Sequence, residues 1–405
     1  MTARTTTEIP SDLRGAFERF PFQGAEGLHT PELGDLEKAY LSECIDSGFV
    51  SSVGAYVDRF ESELASFAGA RFAVATSSGT TALHLALLAA DVKPGDLVLV
   101  PAITFVATAN AVSHCGARAV ALDVEEESMG LNPKGLSEFF DSQTTRGPDG
   151  TRLHSATGAV VRAVIAVHVL GHPCDIVAIA EVCERFGVPL LEDAAESMGS
   201  FIDGIHTGLF GFAGIFSFNG NKTITTGGGG CVVTNNPVVA ERVRHLGTTA
   251  RIPHPFEFDH DVVGFNYRMP NLNAALGCAQ LERLPALLSA QQEIYWSYLG
   301  HFQDVDSVEV VSQPDGRQSN YWLQAIRLRH GGREARDAVL SLGAELGIPL
   351  RPLWKPVPLV EAYRDGGHED IPVATAIYDS VVCLPSSPAI MRPASSTLPE
   401  AGTQP

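Results

Sequence analysis

The 405-residue chain is poor in positive charge. It has 28 lysine and arginine residues against 47 aspartate and glutamate residues, a formal net charge of −19. This charge disfavours nucleic acid or an anionic membrane as a partner, because both repel an acidic surface. A site for an anionic ligand would need its own local cations. The nearest candidates in the sequence are Arg244, Arg251, His254 and Arg351.

Several other features are missing. No uncharged apolar run reaches bilayer length, and Met1 to Pro10 lacks the apolar segment of a secretory signal. Seven scattered cysteines, an odd number, suit free thiols in a reducing compartment rather than a disulfide framework. No internal repeat is visible. We therefore expect a cytoplasmic protein with one large and one smaller domain.

Strand-like runs alternate with helical patterns over the first 250 residues. The strand-like runs are Phe72–Thr76, Leu97–Val100, Ala117–Asp123, Ala163–His168, Pro189–Glu192, Ile215–Phe218 and Cys231–Thr234, and helix candidates include Thr80–Ala90, Phe105–Cys115 and Ile176–Phe186. This alternation predicts an α/β fold whose mainly parallel central sheet is covered by helices on both faces. The glycine- and proline-containing stretch 146–157 predicts a surface loop.

The pattern changes after about Arg251. A long helical stretch from Asn271 to Leu299 is followed by a few strands, including Tyr321–Leu328, which predicts a smaller C-terminal α+β domain. The predicted division is an N-terminal arm (1–27), a large domain (28–250), a small domain (251–390) and a disordered tail (391–405) rich in Pro, Ser and Thr.

Lys222 is the most informative residue. It is the only lysine or arginine between Gly204 and Glu241, and it lies between Ser217 and four consecutive glycines ending at Gly230. Such glycines allow a close approach to a ligand, at an entropic cost that a simple linker would avoid. An isolated lysine in this apolar setting suits an amine nucleophile of the Schiff-base type. The alternative is a surface-loop lysine beside a flexible turn.

A carboxylate follows a second buried strand. The apolar run from Val188 ends in Glu192 and Asp193, so Asp193 lies at the carboxyl end of a predicted parallel strand, where open α/β sheets place ligand sites. Pyridoxal phosphate (PLP) requires a carboxylate at its ring nitrogen, because the protonated pyridinium is its electron sink. Together with Lys222, Asp193 is the candidate for this carboxylate. Taken alone, Asp193 would be interpreted as a helix N-cap.

Two further motifs carry weaker signals. The run Phe72–Thr76 breaks at Ser78-Gly79 and continues as a helix, whose free N–H groups and positive dipole end suit a phosphate. His168 and His172 have the composition of metal ligands, but a strand end and a Gly-Pro turn separate them, so helical spacing does not pair the imidazoles. We expect no metal, and a site-lining or core role for His168.

The order of phosphate turn, acid and lysine resembles that of the DegT/DnrJ/EryC1/StrS family of sugar aminotransferases. The matching motifs are Ser78-Gly79-Thr80, Pro101–Thr108, Glu192–Ser197, Phe216-Ser217-Phe218, Asn221-Lys222 and Gly264–Gly277. The likeness runs from about Leu28 to Ser387 and is nearest to the LegC-like branch, which aminates UDP-linked 4-keto-6-deoxy-N-acetylhexosamines. It implies a fold-type I PLP-dependent transferase, aspartate aminotransferase-like, with PLP bound in the large domain.

The resemblance also implies roles for single residues. Lys222 would form the internal aldimine with PLP and move a proton between Cα and C4′, the cofactor passing through its pyridoxamine phosphate form. Asp193 would hold the pyridinium, Glu196 would lie near the ring hydroxyl, and Phe105 would stack on the ring, with core filler as its alternative. The phosphate ligands would be Gly79, Thr80, Ser217 and the partner subunit's Asn266, in a homodimer with shared active sites.

The implied reaction moves an amino group from an amino acid such as L-glutamate to the C4 keto group of a nucleotide-linked 4-keto-6-deoxy sugar, of the UDP-N-acetylhexosamine type. Such products serve polysaccharide or secondary-metabolite biosynthesis. The candidate substrate-binding residues are Arg251, His254, Tyr321 and Arg351. After Arg351-Pro-Leu-Trp354 this chain lacks a histidine that LegC-like chains carry, which leaves the sugar open.

Two alternatives stand beside this reading. One is a PLP-dependent aminotransferase acting on another ketone, a C3-keto sugar or a keto-cyclitol, which motifs around the cofactor do not separate from a C4-keto sugar. The other is a non-catalytic PLP-binding regulatory protein, which the presence of both Lys222 and Asp193 argues against. The PLP-dependent sugar dehydratases of the family have histidine in place of the lysine, so Lys222 excludes them.

Overall fold

The computed structural model describes residues 9–22 and 24–391. The first eight residues of the predicted arm and all but Met391 of the predicted tail lie outside this part. Its helices are α1 (Ser11–Glu18), α2 (Asp35–Asp46), α3 (Ala55–Ala68), α4 (Gly79–Ala89), α5 (Ala107–His114), α6 (Pro133–Gln143), α7 (Ile176–Phe186), α8 (Pro237–Gly247), α9 (Asn271–Phe302), α10 (Gly332–Glu345) and α11 (Pro372–Ser380).

The strands fall into one large sheet and several smaller ones. They are β1 (Phe72–Thr76), β2 (Leu97–Pro101), β3 (Arg118–Leu122), β4 (Thr144–Arg146), β5 (Arg152–His154), β6 (Val161–Val167), β7 (Leu190–Asp193), β8 (Phe201–Ile202), β9 (Ile205–His206), β10 (Ala213–Ser217), β11 (Gly230–Thr234), β12 (Arg251–Ile252), β13 (Asp259–His260), β14 (Val308–Val310), β15 (Arg317–Gln318), β16 (Gln324–Leu328), β17 (Arg351–Pro352) and β18 (Val381–Leu384).

The central sheet has seven strands in the order β1-β11-β10-β7-β6-β2-β3. From β10 to β3 all neighbours are parallel, and only β11 runs antiparallel to both of its neighbours. The predicted α/β fold with a mainly parallel sheet is therefore confirmed. One predicted loop is wrong: stretch 146–157 contains most of a β-hairpin, β4 paired with β5, and its glycine and proline residues form the turn.

Alternation along the strands explains why helices cover both faces. In β2, Val98 and Val100 pack into the cluster formed with α4, α5 and α8, whereas Leu97 and Leu99 pack against α6 and α7. At the β1–β11 edge, α3 and α9 form a third cluster. Strands β2 and β11 are buried along their whole length, as expected for a sheet with no solvent face.

A second, four-stranded antiparallel sheet follows in the order β14-β16-β18-β17. Its cluster includes Leu13 and Phe17 of α1 together with Tyr298 and Phe302 of α9, so the predicted N-terminal arm packs on the C-terminal part of the chain. The following segment continues this contact. Thr30 N–H donates to Ser387 Oγ (2.7 Å), a bond between residues 357 positions apart, and Ser386 N–H donates to Leu28 O. The division at 250/251 stays a prediction.

Three element boundaries differ from the sequence patterns for local reasons. Strand β16 begins at Gln324 rather than Tyr321, because Tyr321 has a φ of +51°, which interrupts an extended chain. Helix α9 continues for 32 residues with Pro285 inside it. Helix α5 begins at Ala107, which leaves Phe105 outside the helix. None of the helices in 9–22 and 24–391 combines the length and hydrophobicity needed to cross a bilayer.

Candidate active site

A cavity of about 340 Å³ lies where the central sheet presents the carboxyl ends of β2, β6, β7 and β10. Ligand sites of open α/β sheets occupy this edge, because the loops that leave parallel strands meet there. The described residues that line it are Ser78, Gly79, Thr80, Leu83, Thr104, Phe105, Ala107, Val167, Asp193, Ala195, Glu196, Ser217, Asn219, Asn221, Lys222, Gly228, Gly229, Trp322 and Trp354. Seven of the predicted site residues are therefore brought together.

One wall of the cavity is the N-terminus of α4. Ser78 caps this helix, its Oγ accepting from Thr81 N–H at 3.1 Å. Gly79 and Thr80 occupy the first two helical positions, where N–H groups have no intrahelical acceptor. A Cβ added at Gly79 would lie 2.8 Å from Ser217 Cβ, so only glycine leaves this space open. Free amides, a helix dipole and a serine hydroxyl around an open space fit a phosphate group.

Lys222 enters the cavity from the loop after β10. Its side chain is 12% exposed, and its Nζ lies 3.4 Å from Glu196 Oε1. The same Nζ lies 3.9 Å from the centroid of the Trp322 ring, whose Nε1–H donates to Asn221 O at 2.7 Å. The amine is thus held between a carboxyl group and an aromatic face, and it is directed into the cavity rather than to bulk solvent.

Asp193 ends β7 and is oriented by its neighbours. Thr108 Oγ1 donates to Asp193 Oδ2 at 2.7 Å, and Ala195 N–H donates to Oδ1 at 3.3 Å. Thr104 Oγ1 lies 2.6 Å from Thr108 Oγ1 and extends this chain of hydroxyls. A carboxylate fixed in this way at the cavity wall has the chemistry required to hold a protonated ring nitrogen.

Glu192 precedes Asp193 but points to the other face of the strand. It is fully buried, and its carboxylate accepts backbone N–H bonds from Gly208 (2.7 Å), Phe210 (2.6 Å) and Gly211 (2.9 Å). His168 Nε2 lies 3.3 Å from Glu192 Oε2, with His168 itself fully buried. His168 therefore belongs to the core rather than to the cavity. No group of three or more His, Cys, Asp or Glu side chains suited to a metal occurs in the described part.

Glu196 is a buried acid beside the amine. Burial raises its pKa to about 7, against the opposing effect of Lys222. Its Oε2 accepts from Leu170 N–H at 3.0 Å. Leu170 has a φ of +57°, an unfavourable conformation for a leucine, which turns this amide towards the carboxyl group. Asn320 Nδ2 also donates to the Glu196 backbone oxygen at 2.8 Å.

The remaining predicted residues do not line the cavity of the single chain. Asn266 is exposed and pairs through its backbone with Thr248. Arg251 is exposed, with its guanidinium 4.2 Å from the Phe258 ring centroid, and His254 is also exposed. Their roles stay predictions.

Tyr321, Arg351 and Arg244 are also placed away from the cavity. Tyr321 is buried and stacks on Tyr295 with 4.1 Å between ring centroids. Arg351 is exposed on β17, where its Nη1 donates to Leu350 O. Arg244 bonds to buried Glu61 at 2.7 Å, which gives it a structural partner. The proposed substrate contacts of Tyr321 and Arg351 stay untested predictions.

Sequence patterns missed three residues that shape the site, two that line the cavity and one that orients Asp193. The sequence places Thr108 in a family motif but does not indicate that it orients Asp193. Trp322 and Trp354 come from distant segments, and their rings lie nearly parallel, 12° apart with 6.4 Å between centroids. No spacing rule connects them. The only available signal was the rarity of tryptophan, three in 405 residues, with two of them in this cavity.

This fold and this cavity define a fold-type I PLP-dependent enzyme. The family model for the DegT/DnrJ/EryC1/StrS aminotransferase family matches residues 31–397, and the chain belongs to this family. It is therefore an aminotransferase of a PLP-dependent family.

Similar proteins agree with this assignment. The chain is 34% identical over 364 residues to the GDP-perosamine synthase of Vibrio cholerae, covering 90% of this chain and 94% of the relative. It is 37% identical over 363 residues to EpsN of Bacillus subtilis strain 168, which carries the name of a pyridoxal phosphate-dependent aminotransferase, covering 89% and 90%. The crystal structure of the aminotransferase TlmJ from Streptoalloteichus hindustanus superposes with a TM-score of 0.81 at 31% identity, covering 90% and 94%.

Proposed function

We propose that the protein transfers an amino group from L-glutamate to the C4 keto group of a nucleotide-linked 4-keto-6-deoxy sugar. The observation that carries the proposal is the convergence, in one cavity, of the Lys222 amine, the Asp193 carboxylate and the N-terminus of α4. When bound, PLP supplies the carbonyl that takes up the amino group and the electron sink for the reaction.

The chain's own residues would divide the remaining work. The amides of Gly79 and Thr80 and the hydroxyl of Ser217 would bind the phosphate at the α4 N-terminus. Asp193, held by Thr108, would keep a proton on the ring nitrogen. Lys222 would hold the cofactor covalently and, once released, move a proton between the Cα of the donor and C4′.

Three further side chains would surround the ring and the amine. Phe105, 52% exposed at the cavity, would cover the face of the ring. Glu196, 3.4 Å from the amine, would hold or accept a proton beside the ring hydroxyl. Trp322 covers one side of the amine and limits the access of water to it.

The proposal leaves two candidates for the nucleotide of the substrate, UDP and GDP. The sequence resemblance predicts a UDP-linked N-acetylhexosamine, whereas the match to a GDP-perosamine synthase favours a GDP-linked sugar. The relatives reported above do not single out the LegC-like branch, which stays a prediction. We therefore place a GDP-linked 4-keto-6-deoxy sugar first and the UDP-linked N-acetyl sugar second.

The test is amino transfer from L-glutamate to a matched panel of GDP- and UDP-linked 4-keto-6-deoxy sugars, with a C3-keto sugar and a keto-cyclitol as further acceptors. Mass spectrometry of the product and release of 2-oxoglutarate report the reaction. Turnover with a 4-keto sugar alone would support the proposal. Turnover restricted to the C3-keto sugar or the cyclitol would overturn it.

Lys222 provides the chemical check. The purified holoenzyme should absorb in the near-ultraviolet or visible range, and borohydride should fix the cofactor on Lys222, as read by peptide mass spectrometry. Lys222→Ala should lose turnover while still binding PLP through the phosphate contacts. Exposed Lys134→Ala is the control and should behave as wild type. Labelling of any other lysine would contradict the assignment.

A further inference from the structure

The amine of the candidate site and the two groups that flank it come from three separate segments of the chain. Glu196 follows β7, Lys222 follows β10 and Trp322 lies just before β16. The amine lies 3.4 Å from the carboxyl oxygen and 3.9 Å from the centroid of the indole ring. Because the segments are distant in sequence, these distances depend on hydrogen bonds and packing between the segments.

One buried side chain bonds to all three segments. Asn320 is 3% exposed, and its Nδ2 donates to the backbone oxygen of Glu196 at 2.8 Å. The same Nδ2 donates to Oγ1 of Thr223, the residue after Lys222, at 3.3 Å. The amide oxygen of Asn320 accepts from Trp322 N–H at 3.0 Å. Both ends of the amide are therefore engaged, the donor end by two segments and the acceptor end by the third.

Asn320 also packs against the turn that holds the Glu196 carboxyl. Leu170 N–H donates to this carboxyl, and Gly171 follows with a φ of +94°. A Cβ added at Gly171 would lie 1.9 Å from Asn320 Oδ1, so the turn and the amide are in direct contact. Ser200 Oγ strengthens this contact, because it accepts from Asn320 N–H at 2.9 Å and donates to Gly171 O at 2.7 Å.

Two residues with unfavourable backbone conformations lie beside this contact. Leu170 has a φ of +57° and Tyr321 a φ of +51°. Leu170 directly precedes Gly171, and Tyr321 directly follows Asn320. Side chains of this size are strained in the left-handed region, and such strain persists only where the surrounding contacts enforce it, most often at functional sites. The chain thus adopts unfavourable backbone at two positions where Asn320 meets the turn.

We propose that Asn320 is a positioning residue that holds the Lys222 amine between the Glu196 carboxyl and the Trp322 ring. This inference rests on the proposed function and deepens it, because proton transfer by Lys222 depends on where its amine is held. Asn320 is not among the described residues that line the cavity, so it acts through its neighbours. Without its amide, the three segments would lose their shared partner, and the amine would be uncovered more often.

The test measures the accessibility of Lys222 in the cofactor-free protein. N-hydroxysuccinimidyl acetate acetylates lysines, and peptide mass spectrometry follows the rate at Lys222 relative to Lys134, whose side chain is 85% exposed. In Asn320→Ala this relative rate should rise by at least about fivefold, the effect of one hydrogen bond on an equilibrium. The wild-type amine reacts slowly because it is only 12% exposed.

A binding measurement separates this effect from unfolding. Pyridoxamine phosphate forms no covalent bond with Lys222, and none of the described hydrogen bonds joins Asn320 to the α4 N-terminus or to Asp193. Asn320→Ala should therefore bind pyridoxamine phosphate nearly as tightly as wild type. In the loaded enzyme its kcat should fall by up to about 10²-fold, the cost of a 1 Å misplacement.

Asn271→Ala is the matched control. Asn271 is also buried, and both ends of its amide are bonded, to Val57 N–H and to Phe49 O, but it is not one of the described cavity-lining residues. Its replacement should lower the thermal stability and leave the relative rate at Lys222 unchanged. An equal rise in Asn271→Ala and Asn320→Ala would show general loosening of the fold and would overturn the positioning role.

Thr223→Val keeps the shape of its side chain and removes only the bond from Asn320. The relative rate at Lys222 should rise in this variant by a smaller factor, and this result decides the question if Asn320→Ala does not fold. A wild-type rate at Lys222 in folded Asn320→Ala, or in Thr223→Val where only that variant folds, would overturn the proposal. Borohydride labelling and the sugar panel test the proposed function separately, so a wrong positioning role and a wrong reaction give different results.

Discussion

At the residue scale, the Asp193 carboxylate is oriented by hydrogen bonds from Thr108 and Ala195. Replacing it with asparagine keeps its shape and its bond from Ala195 N–H but removes the charge that would hold a ring proton. We expect kcat to fall by about 10²-fold or more, the size of a well-placed electrostatic partner. Steady-state kinetics with glutamate and the preferred sugar measure this loss.

Asp175→Asn is the matched control for this substitution. Asp175 caps α7 by accepting from Ala178 N–H, and asparagine caps a helix equally well, so its rate should not change. A near-normal rate in Asp193→Asn would move the role to Glu196. Glu192 is not available for it, because its carboxylate is occupied by three backbone amides on the other face of β7.

Glu196 makes the stability of the cofactor-free protein depend on pH. Burial raises its folded-state pKa from 4.5 to about 7, so the stability from the neutral carboxyl is complete below about pH 4.5 and lost as pH rises through 7. Glu196→Gln stays neutral. The unfolding free energy of wild type relative to Glu196→Gln should therefore fall between pH 4.5 and 8, on the order of 3 kcal/mol.

Urea denaturation of both cofactor-free proteins at several pH values measures this difference. Exposed Glu184→Gln on α7 is the control, since its carboxyl is hydrated in the folded and the unfolded state. A constant difference across the range would show that the carboxyl is ionised throughout, compensated by the Lys222 ammonium.

At the element scale, the proposed phosphate site at the N-terminus of α4 depends on the absence of a side chain at Gly79. Gly79→Ala would place a Cβ 2.8 Å from Ser217 Cβ and 3.1 Å from its Oγ, which closes the space proposed for the phosphate. We expect the affinity of the apoprotein for PLP to fall by about tenfold or more, with the fold retained. Absorbance titration with PLP measures the affinity.

Gly135→Ala in α6 provides the comparison. The added Cβ would meet no atom closer than 3.8 Å, and alanine favours a helix interior by up to about 1 kcal/mol. PLP affinity should be unchanged and stability equal or higher. Wild-type affinity in Gly79→Ala would show that the phosphate binds elsewhere.

Helices and strands with local sequence signals were predictable, whereas contacts between distant segments were not. Strand β1 has its predicted bounds, and α4 and α7 lie within a residue of theirs, because their signals are local: an apolar run, a cap, a glycine. The contact of Thr108 with Asp193 spans 85 residues, and the approach of Trp322 to Lys222 spans a hundred. Such contacts depend on strand order, which hydrophobic periodicity does not encode, so the cavity's aromatic wall was not predictable.

At the scale of the whole molecule, activity is predicted to require two chains. If the partner subunit's Asn266 completes the phosphate site, hybrid dimers of Lys222→Ala and Asn266→Asp subunits contain one site with both lesions and one with neither. The carboxylate introduced in Asn266→Asp should repel the phosphate, so that homodimer should bind PLP weakly. Mixing the two inactive proteins should restore activity in proportion to the hybrid formed.

Native mass spectrometry verifies subunit exchange in the same samples. Exposed Asn219→Asp in place of Asn266→Asp is a control, because Asn219 lines the cavity of its own chain. In hybrids of Asn219→Asp and Lys222→Ala subunits, each of the two active sites still carries one lesion. The mixture should therefore show no more activity than the two separate proteins. No recovery with Asn266→Asp despite complete exchange, or full activity from a monomer, would place Asn266 within its own chain.

The bond between Thr30 and Ser387 has a consequence for synthesis on the ribosome. At about 5–20 residues per second, the 357 residues between these partners take roughly 20–70 s to emerge. For most of that time, until Tyr298 and Phe302 of α9 have emerged, the apolar side chains of α1, Leu13 and Phe17 among them, lack the cluster that later covers them. A nascent chain halted before α9 would display this helix without its partners, and exposed apolar surface of that kind is what chaperones cover.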